Sequence, residues 1–300
     1  MKIKKILNYK YNKRKDRVEY YSKLYKKTDF SVKYPAELKR LNIIISLLKK
    51  HKPKKIVDAG CAAGIPLIKL KKLGFNITGY DRSKPMVNEA KKNLERYNLS
   101  TNLISEGNFE NPKNQKDNSV DCILGLGTFY YSKNIKKTIS LQAKKLKRNG
   151  RLIFSLRNQL FDIATMNDYS VNFFSKLYKI TKYKKDIQVK FRNYFSSYNT
   201  RNKLNLRNMS NKDVFSKTNI DEKNVFSKTH NPLNIEKDLL DKTNLSLQGI
   251  YFYHFHFLPP AFENNFPVKF RRESWKIENP TDWRGFFLAS GFVVDCIKNN

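Results

Sequence analysis

The fold of this 300-residue chain is decided by one stretch, Ile56-Val57-Asp58-Ala59-Gly60-Cys61-Ala62-Ala63-Gly64-Ile65-Pro66. The stretch predicts a short buried strand, a glycine-rich turn and the start of a helix. The two glycines let the backbone approach a ligand closely, and Asp58 stands at the carboxyl end of the strand. This arrangement is typical of a nucleotide-type ligand held at the edge of a parallel sheet.

A second acidic residue, Asp81, follows the glycine-rich turn at a spacing that indicates a role in ligand binding. After a helix stop at Gly74, residues 75–81 predict a second strand that ends at Asp81. An acid about 20 residues after such a turn is placed to accept hydrogen bonds from both ribose hydroxyls. The turn lacks the G-x-G-x-x-G spacing of dinucleotide-binding folds. It also lacks the Lys-Ser/Thr pair of a phosphate-binding loop, so the sequence does not indicate phosphate binding.

Five ordered segments resemble the class I S-adenosylmethionine-dependent methyltransferases. The stretch from Ile56 looks like that family's first motif, and the others lie at residues 80–86, 105–109, 117–124 and 146–154. The resemblance implies S-adenosylmethionine as the cofactor. It also implies an α/β, Rossmann-like doubly wound, mostly parallel seven-stranded sheet with an antiparallel last strand. The alternative is a Rossmann-like domain that binds another nucleotide.

The positions that match the family's motifs are the expected cofactor contacts. They are Asp58, Gly60, Cys61, Ala62, Gly64, Asp81, Arg82, Asn108, Phe109, Leu124 and Gly125. Asn108 stands where the family usually carries an acid. Its amide can accept from and donate to an adenine edge, so the position is still expected to serve the cofactor.

The chain divides into four segments by composition and pattern. Residues 1–33 form a basic arm, and residues 34–157 carry the cofactor-binding core. Regular alternation of strands and helices then lapses for longer than a simple connection requires, which predicts an inserted lid over residues 158–229. Residues 230–300 are expected to complete the core sheet, because a helix, a strand and an antiparallel strand close the sheet in the resembling family.

The net charge of +34 is consistent with a polyanionic partner, RNA above all, with an acidic membrane surface, or with a lysine-rich surface that has no partner. The lysines are spread along the whole chain and no RNA-binding module is recognisable, which favours the last of these interpretations. No apolar run reaches the length of a transmembrane helix, and the first residues do not resemble a signal peptide. The three cysteines lack disulfide or metal-ligand spacing, which predicts buried thiols in the cytoplasm.

Three histidines are candidates for a general base, which is needed when the methyl acceptor is a neutral hydroxyl. His254 and His256 lie two residues apart in a predicted strand, so alternation places them on one face with Phe252. His230 lies at the exit of the predicted lid. The pair at 254 and 256 is alternatively a substrate clamp or a structural pair. A metal site is not expected, because no third ligand lies nearby in sequence.

Three further residues are candidates for holding the substrate. Arg157 and Asn158 follow the fifth strand at the ligand-binding edge, where they either contact substrate or anchor the lid, and Tyr131 follows the fourth. The expected activity is methyl transfer to a hydroxyl or amine of a small molecule, such as a sugar or polysaccharide precursor. The alternatives are an RNA methyltransferase and a catalytically silent cofactor-binding protein. The chain also resembles a bacterial subgroup of the family in its Arg157–Phe161 and His254–Pro260 stretches.

Overall fold

The computed structural model describes residues 29–113, 115–166, 168–201 and 228–299, and its strands form one sheet. The strands are β1 (Ile56–Ala59), β2 (Ile77–Asp81), β3 (Ile104–Glu106), β4 (Val120–Gly125), β5 (Leu146–Asn158), β6 (Thr229–His230), β7 (Leu245–Phe255) and β8 (Ala289–Lys298). The spatial order is β3-β2-β1-β4-β5-β8-β7, with the two-residue β6 beside β5. Only β8 is antiparallel to its neighbours within this sheet. The predicted fold class is confirmed, with β6 as an additional short strand.

Helices connect the strands and cover the sheet. They are α1 (Ala36–His51), α2 (Ile65–Lys72), α3 (Lys84–Arg96), α4 (Ile135–Lys145), α5 (Phe161–Ala164), α6 (Asp168–Leu177), α7 (Lys185–Arg201), α8 (Pro267–Lys276) and α9 (Gly285–Leu288). Two buried apolar clusters form the core: one includes residues of α1, α2 and α3, and the other residues of α4 and the turn 236–240. Helices on both faces are what a parallel sheet requires, because both of its faces must be buried.

The helix α1 directs a buried stripe onto the sheet. Leu41, Ile44 and Leu48 recur at helical spacing and are buried. The helix begins after Pro35, and Lys52 ends it in the left-handed conformation. Tyr34, just before the helix, stacks on His254 of β7, and His51 at the end of the helix bonds to Asp295 of β8. The helix and its lead-in therefore contact the last two strands of the sheet.

Two local patterns differ from the sequence prediction. His254 has a φ of 62°, so the backbone turns left-handed and the alternation along β7 breaks there. Phe252 and Phe255 consequently belong to the same core cluster, whereas strict alternation places them on opposite faces. In addition, residues 285–288 form α9 where the sequence predicts the beginning of the last strand.

Part of the predicted segmentation lies outside the described residues. This applies to residues 1–28 of the predicted basic arm and to residues 202–227 of the predicted lid. The described part of that lid consists of α5, α6, α7 and the short strand β6. In the ranges that the structure describes, no helix is long and apolar enough to cross a membrane.

Candidate functional site

The glycine turn after β1 adopts a backbone that few residue types tolerate. Gly60, Ala62 and Gly64 have φ values of 90°, 46° and 75°. The backbone N–H groups of Gly60 and Cys61 donate to the carbonyl of Tyr80 at 2.8 and 3.1 Å. A Cβ at Gly60 would lie 2.4 Å from Cγ2 of Thr128. The turn is therefore held between β2 and the loop after β4, with its backbone at the carboxyl edge.

Asp58 is the most unusual group at this edge. It is 1% exposed, and neither carboxylate oxygen has a hydrogen-bond partner. Burial raises the pKa of Asp58 to about 7, the guanidinium of Arg40 opposes this rise, and the charge of Asp81 adds to it. A buried carboxylate without a partner is costly for the fold. This arrangement fits a ligand that brings its own donors or positive charge to Asp58.

Asp81 closes the second side of the site. Its Oδ2 accepts from the backbone N–H of Ala62 at 3.0 Å, and its Oδ1 accepts from that of Ser83 at 2.8 Å. Burial raises the pKa of Asp81 despite these two bonds. Each oxygen retains capacity for a further donor. The hydroxyl of Ser83, a residue the sequence reasoning did not select, is buried there without a partner.

Three further predicted cofactor contacts differ in exposure: Arg82 and Asn108 are exposed, and Phe109 is buried. Arg82 is exposed, 3.8 Å from Glu110, and Asn108 is exposed with its Oδ1 accepting from the Glu110 N–H. The ring of Phe109 is buried and stacks on Phe129 at 5.9 Å, so it faces the core. A ligand at this position meets Asn108 before it meets that ring.

Three predicted contacts are fully buried, namely Cys61, Leu124 and Gly125. Burial raises the pKa of the Cys61 thiol well above its ordinary value, which excludes a reactive thiolate. A Cβ at Gly125 would lie 2.6 Å from the Phe129 ring, so the glycine makes room for that ring. Their contact with the cofactor stays a prediction.

Behind Asp58 lies a polar network that sequence reasoning missed. Arg40 of α1 makes a side-chain hydrogen bond with Tyr253 of β7, and Tyr253 also bonds Ser155 of β5. Oγ of Ser155 accepts from the Gly127 N–H at 2.8 Å. A Cβ at Gly127 would lie 2.8 Å from Nη1 of Arg40. The network links α1 to β5, β7 and the loop after β4.

The sequence does contain a signal for Arg40. It lies four residues before Ile44 on the buried stripe of α1, where a charged residue needs a partner. The partner Tyr253 comes from a strand more than 200 residues away in the chain. Periodicity flags the arginine, but only the tertiary structure identifies what it serves.

Arg157 lies at the carboxyl end of β5, as predicted. Its Cζ is 5.1 Å from the centre of the Tyr130 ring. Burial disfavours its charge, but the neighbouring oxygens of Tyr130, Tyr131 and Tyr253 outweigh burial and raise the pKa of Arg157. Tyr131 is half-buried, and its ring contacts Tyr130 at 4.4 Å. These groups form a cationic, aromatic-walled corner of the edge.

The side chain of Asn158 is occupied within the protein, which fits the alternative that it anchors a neighbouring segment, and its binding of substrate stays a prediction. It is 1% exposed, and its amide donates to the carbonyls of Gly285, Phe286 and Ala289 at 3.2, 2.9 and 2.8 Å. Its Oδ1 accepts from the N–H of Leu160 at 3.0 Å. Because the amide is saturated, Asn158 fixes α9 and the turn into α5.

Two of the three predicted catalytic histidines lie together. The rings of His254 and His256 are 4.5 Å apart, His254 stacks on Tyr34 at 4.6 Å, and Ser290 Oγ lies 2.7 Å from its Nδ1. Burial lowers the pKa of His254 to about 4. Burial, and then the charge of His254, lowers the pKa of His256 well below its ordinary value. Burial therefore disfavours the charged form of both imidazoles.

The position of this pair is the difficulty for a catalytic role. β7 is an edge strand, and four strand spacings, about 19 Å, separate it from β1. The ring nitrogens of His256 are buried without partners, between Phe161 and Phe270. The role of His254 and His256 as a base therefore stays a prediction, one that requires an acceptor reaching from β1 to β7.

His230 does not join that pair. β6 pairs with β5 so that His230 lies opposite Asn158, which faces α9, and Thr229 lies opposite Arg157. By strand alternation His230 and Arg157 point to opposite faces of the sheet. Burial and the charge of Lys228 lower the pKa of His230 to about 4, and Asp238 opposes this shift. In the described ranges a ring contact joins His254 to His256, and none joins His230 to either of them.

The remaining titratable groups give no sign of a metal site. In the described ranges, no group of three or more His, Cys, Asp or Glu side chains is arranged to hold a metal ion. Cys61, Cys122 and Cys296 are free and buried. The carboxyl edge presents the carboxylate of Asp58, which has no hydrogen-bond partner, the carboxylate of Asp81, which is suited to ribose hydroxyls, and the positive charge of Arg157.

Comparisons with known proteins agree with this geometry. A family model described as "Methyltransferase domain" matches residues 50–210, more than half of the chain. An uncharacterised protein of Haemophilus influenzae is 30% identical over 115 residues, covering 37% of this chain and 45% of that protein. A Geobacillus protein named provisionally as a methyltransferase is 25% identical over 139 residues, covering 43% of this chain and 55% of that protein. The chain spans about half the length of these curated relatives.

Among solved structures, the magnesium protoporphyrin IX methyltransferase of Synechocystis PCC 6803 with bound S-adenosylhomocysteine is similar along the whole chain. The TM-score is 0.54 at 14% identity, with coverage of 99% of this chain and 100% of that one. At this level of identity the similarity shows the fold alone.

Proposed function

Because this chain belongs to the class I S-adenosylmethionine-dependent methyltransferase family, we propose that it transfers a methyl group from that cofactor to a small molecule. The observation that carries the proposal is the buried carboxylate of Asp58, whose two oxygens have no partner. Its position at the glycine turn is where the family holds its cofactor. An acceptor hydroxyl or amine, for instance on a sugar or polysaccharide precursor, is the proposed target.

The residues at the edge fit S-adenosylmethionine. Asp58 is suited to its ammonium group, and Arg40 beside Asp58 to its carboxylate. Asp81, with Ser83 next to it, is suited to the two ribose hydroxyls. When bound, S-adenosylmethionine supplies a methyl group on a positively charged sulfur. The protein's contribution is to hold both reactants in line, and alignment is a large part of catalysis in such reactions.

The covering of the edge supports a small acceptor. The N–H of Lys228 donates to the carbonyl of Tyr130 at 3.0 Å, and that of Gln159 to the carbonyl of His230 at 2.9 Å. Lys228 and β6 therefore lie beside the end of β5. Asn158, next to Arg157, holds α9 at the same end of the strand. Segments placed there favour a small acceptor, because covered sites exclude water and orient a small molecule better than they admit a folded polynucleotide.

RNA is the second candidate acceptor, and the net charge of +34 is the observation that favours it. If the lysines only decorate the surface, RNA binds weakly, without sequence preference, and its affinity collapses as salt rises. Electrophoretic mobility shifts with unrelated RNAs across a salt series measure this. Tight, sequence-selective binding at physiological salt would move RNA to first place.

The three buried, free thiols are compatible with a reducing compartment, and we place the protein's activity in the cytoplasm. The decisive experiment is titration calorimetry of the full chain with S-adenosylhomocysteine. We expect one binding site per chain, and the same heat to be lost in an Asp58→Ala variant that remains folded by circular dichroism. Absence of binding by the wild type would reject the proposed function.

A further inference from the structure

Arg157 carries a charge that the described protein does not neutralise. Among the described residues no aspartate or glutamate forms an ion pair with it, and its neighbours are the rings of Tyr130, Tyr131 and Tyr253. The side chain is only partly exposed. A guanidinium in such surroundings has lost much of its water without gaining a carboxylate, which is costly unless a ligand supplies an anion.

A second arginine of the same strand shows the contrast. Arg151, six residues earlier and near the middle of β5, pairs with Asp295 at 3.0 Å. Arg157 is the last residue but one of β5, at the carboxyl edge where ligands of this fold bind. The fold therefore gives Arg151 an acidic partner and leaves Arg157, at the ligand-binding edge, without one.

The distance from β1 separates Arg157 from the groups suited to the cofactor. β4 lies between β1 and β5, and Asp58 is level with Ile153 of β5, four residues before Arg157. Two strand spacings across the sheet and four residues along the strand put the backbones of Asp58 and Arg157 about 16 Å apart. Arg40, which lies beside Asp58, is the nearer cation for the cofactor's own carboxylate. Arg157 is thus available to a second molecule at the same edge.

We propose that the acceptor carries an anionic group, a carboxylate or a phosphate, which Arg157 binds while the rings of Tyr130 and Tyr131 pack against the body of the molecule. This inference rests on the proposed function and specifies the substrate class of the same site. A guanidinium presents two parallel N–H donors to such groups. The aromatic rings provide flat apolar surfaces of the kind that hold a planar or sugar-like body. The N–H of Lys228, whose side chain adds positive charge, donates to the carbonyl of Tyr130.

The test uses the full chain saturated with S-adenosylhomocysteine and three probes of similar shape: benzoate, phenyl phosphate and the neutral benzamide. We expect at least one anion to bind about tenfold more tightly than benzamide, the effect of one charge-assisted hydrogen bond pair. The anion that binds more tightly distinguishes a carboxylate acceptor from a phosphate acceptor. Calorimetry or ligand-observed NMR gives the affinities.

Two variants connect the preference to Arg157. In Arg157→Met the preference for the anion should disappear, and in Arg157→Lys it should fall while staying above that of the methionine variant. Arg96→Met, on the exposed face of α3, is the matched control and should keep the full preference. S-adenosylhomocysteine affinity should be unchanged in all three, which verifies that each variant is folded.

The outcomes separate this inference from the proposed function. Equal or undetectable binding of the three probes to the loaded wild type, or a preference that survives Arg157→Met, would overturn it. Loss of S-adenosylhomocysteine affinity in Arg157→Met, with Arg157→Lys unaffected, would reassign Arg157 to the cofactor and overturn it as well. Failure of the wild type to bind S-adenosylhomocysteine concerns the proposed function instead, and the probes are then titrated against the unloaded protein, where the same preference is expected.

Discussion

Two aspartates of the sheet, Asp58 on β1 and Asp295 on β8, are each 1% exposed, and the register places them in the same row across the strands. Oδ2 of Asp295 pairs with His51 and with Arg151, each at 3.0 Å, while its Oδ1 has no hydrogen-bond partner. At Asp58, neither oxygen has a hydrogen-bond partner. Both aspartates lie on internal strands and both are near an arginine.

This difference indicates that Asp295 is placed for stability and Asp58 for binding. A buried carboxylate is tolerated when partners replace its lost water, as at Asp295. Left without such bonds, it weakens the folded protein and is best explained by a ligand that supplies them. The glycine turn with its left-handed residues lies beside Asp58 and has no counterpart beside Asp295 in the described chain.

The largest expected effect comes from removing the ion pair between Asp295 and Arg151. Asp295→Asn removes the charge that pairs with Arg151 and leaves that guanidinium uncompensated. We expect unfolding free energy to fall by about 3–5 kcal/mol, the cost of breaking a buried pair. Urea unfolding of the cofactor-free protein measures it. A loss of unfolding free energy smaller than that of the exposed control Asp241→Asn would remove the distinction between Asp295 and Asp58.

Sequence reasoning succeeded where the fold depends on local pattern. The strand–turn–helix around Asp58 and the positions of Pro66 and Gly74 are local, so the central strands follow from them. It failed to place Phe255 on the same face as Phe252, because one left-handed residue, His254, breaks the alternation on which face assignment depends. Nothing in the sequence around 254 marks a left-handed histidine.

Only part of the candidate site was predictable from the sequence, because some of its residues depend on contacts between distant segments. Acids at strand ends, Asp58 and Asp81, are recognisable because their position is set by the neighbouring glycines. Arg40 acts through Tyr253 and Ser155, which come from distant segments, so no local spacing connects them. Asn158 was placed at the correct edge, but only its hydrogen bonds reveal that α9 occupies its amide.

The second effect concerns the ligand edge. Asp81→Ala removes the acceptors expected for two ribose hydroxyls, so S-adenosylhomocysteine affinity should weaken by about 1.5–3 kcal/mol. Asp81 also binds the N–H groups of Ala62 and Ser83, so some loss of stability accompanies the change. Calorimetry on Asp81→Ala and the milder Asp81→Asn separates these contributions. Unchanged affinity in both would place the ribose elsewhere.

The third substitution, Asp58→Asn, is expected to stabilise the cofactor-free protein and to weaken ligand binding. In cofactor-free Asp58→Asn the costly charge is gone, and we expect unfolding free energy at neutral pH to rise by about 1–3 kcal/mol. Affinity for S-adenosylhomocysteine should fall at the same time, because the amide no longer attracts an ammonium group. Thermal unfolding with and without ligand measures both. A destabilised Asn variant would show that Arg40 depends on the charge of Asp58.

The last effect is the pH dependence of stability, and it has a definite sign. In the folded protein the pKa of Asp58 is about 7, against an ordinary value of 3.8, because burial disfavours the charge. Between these two values the folded chain holds a proton that the unfolded chain has released. This contribution to stability is therefore complete below the ordinary pKa and is lost as pH rises through the folded pKa. Urea unfolding across this window should show a downward slope in the wild type that Asp58→Asn removes and Asp241→Asn retains. Saturation with S-adenosylmethionine should also flatten it, because a bound ammonium favours the ionised carboxylate. Parallel curves for the wild type and Asp58→Asn would mean that Asp58 is ionised in the free protein, and the contrast with Asp295 would then rest on hydrogen bonding alone.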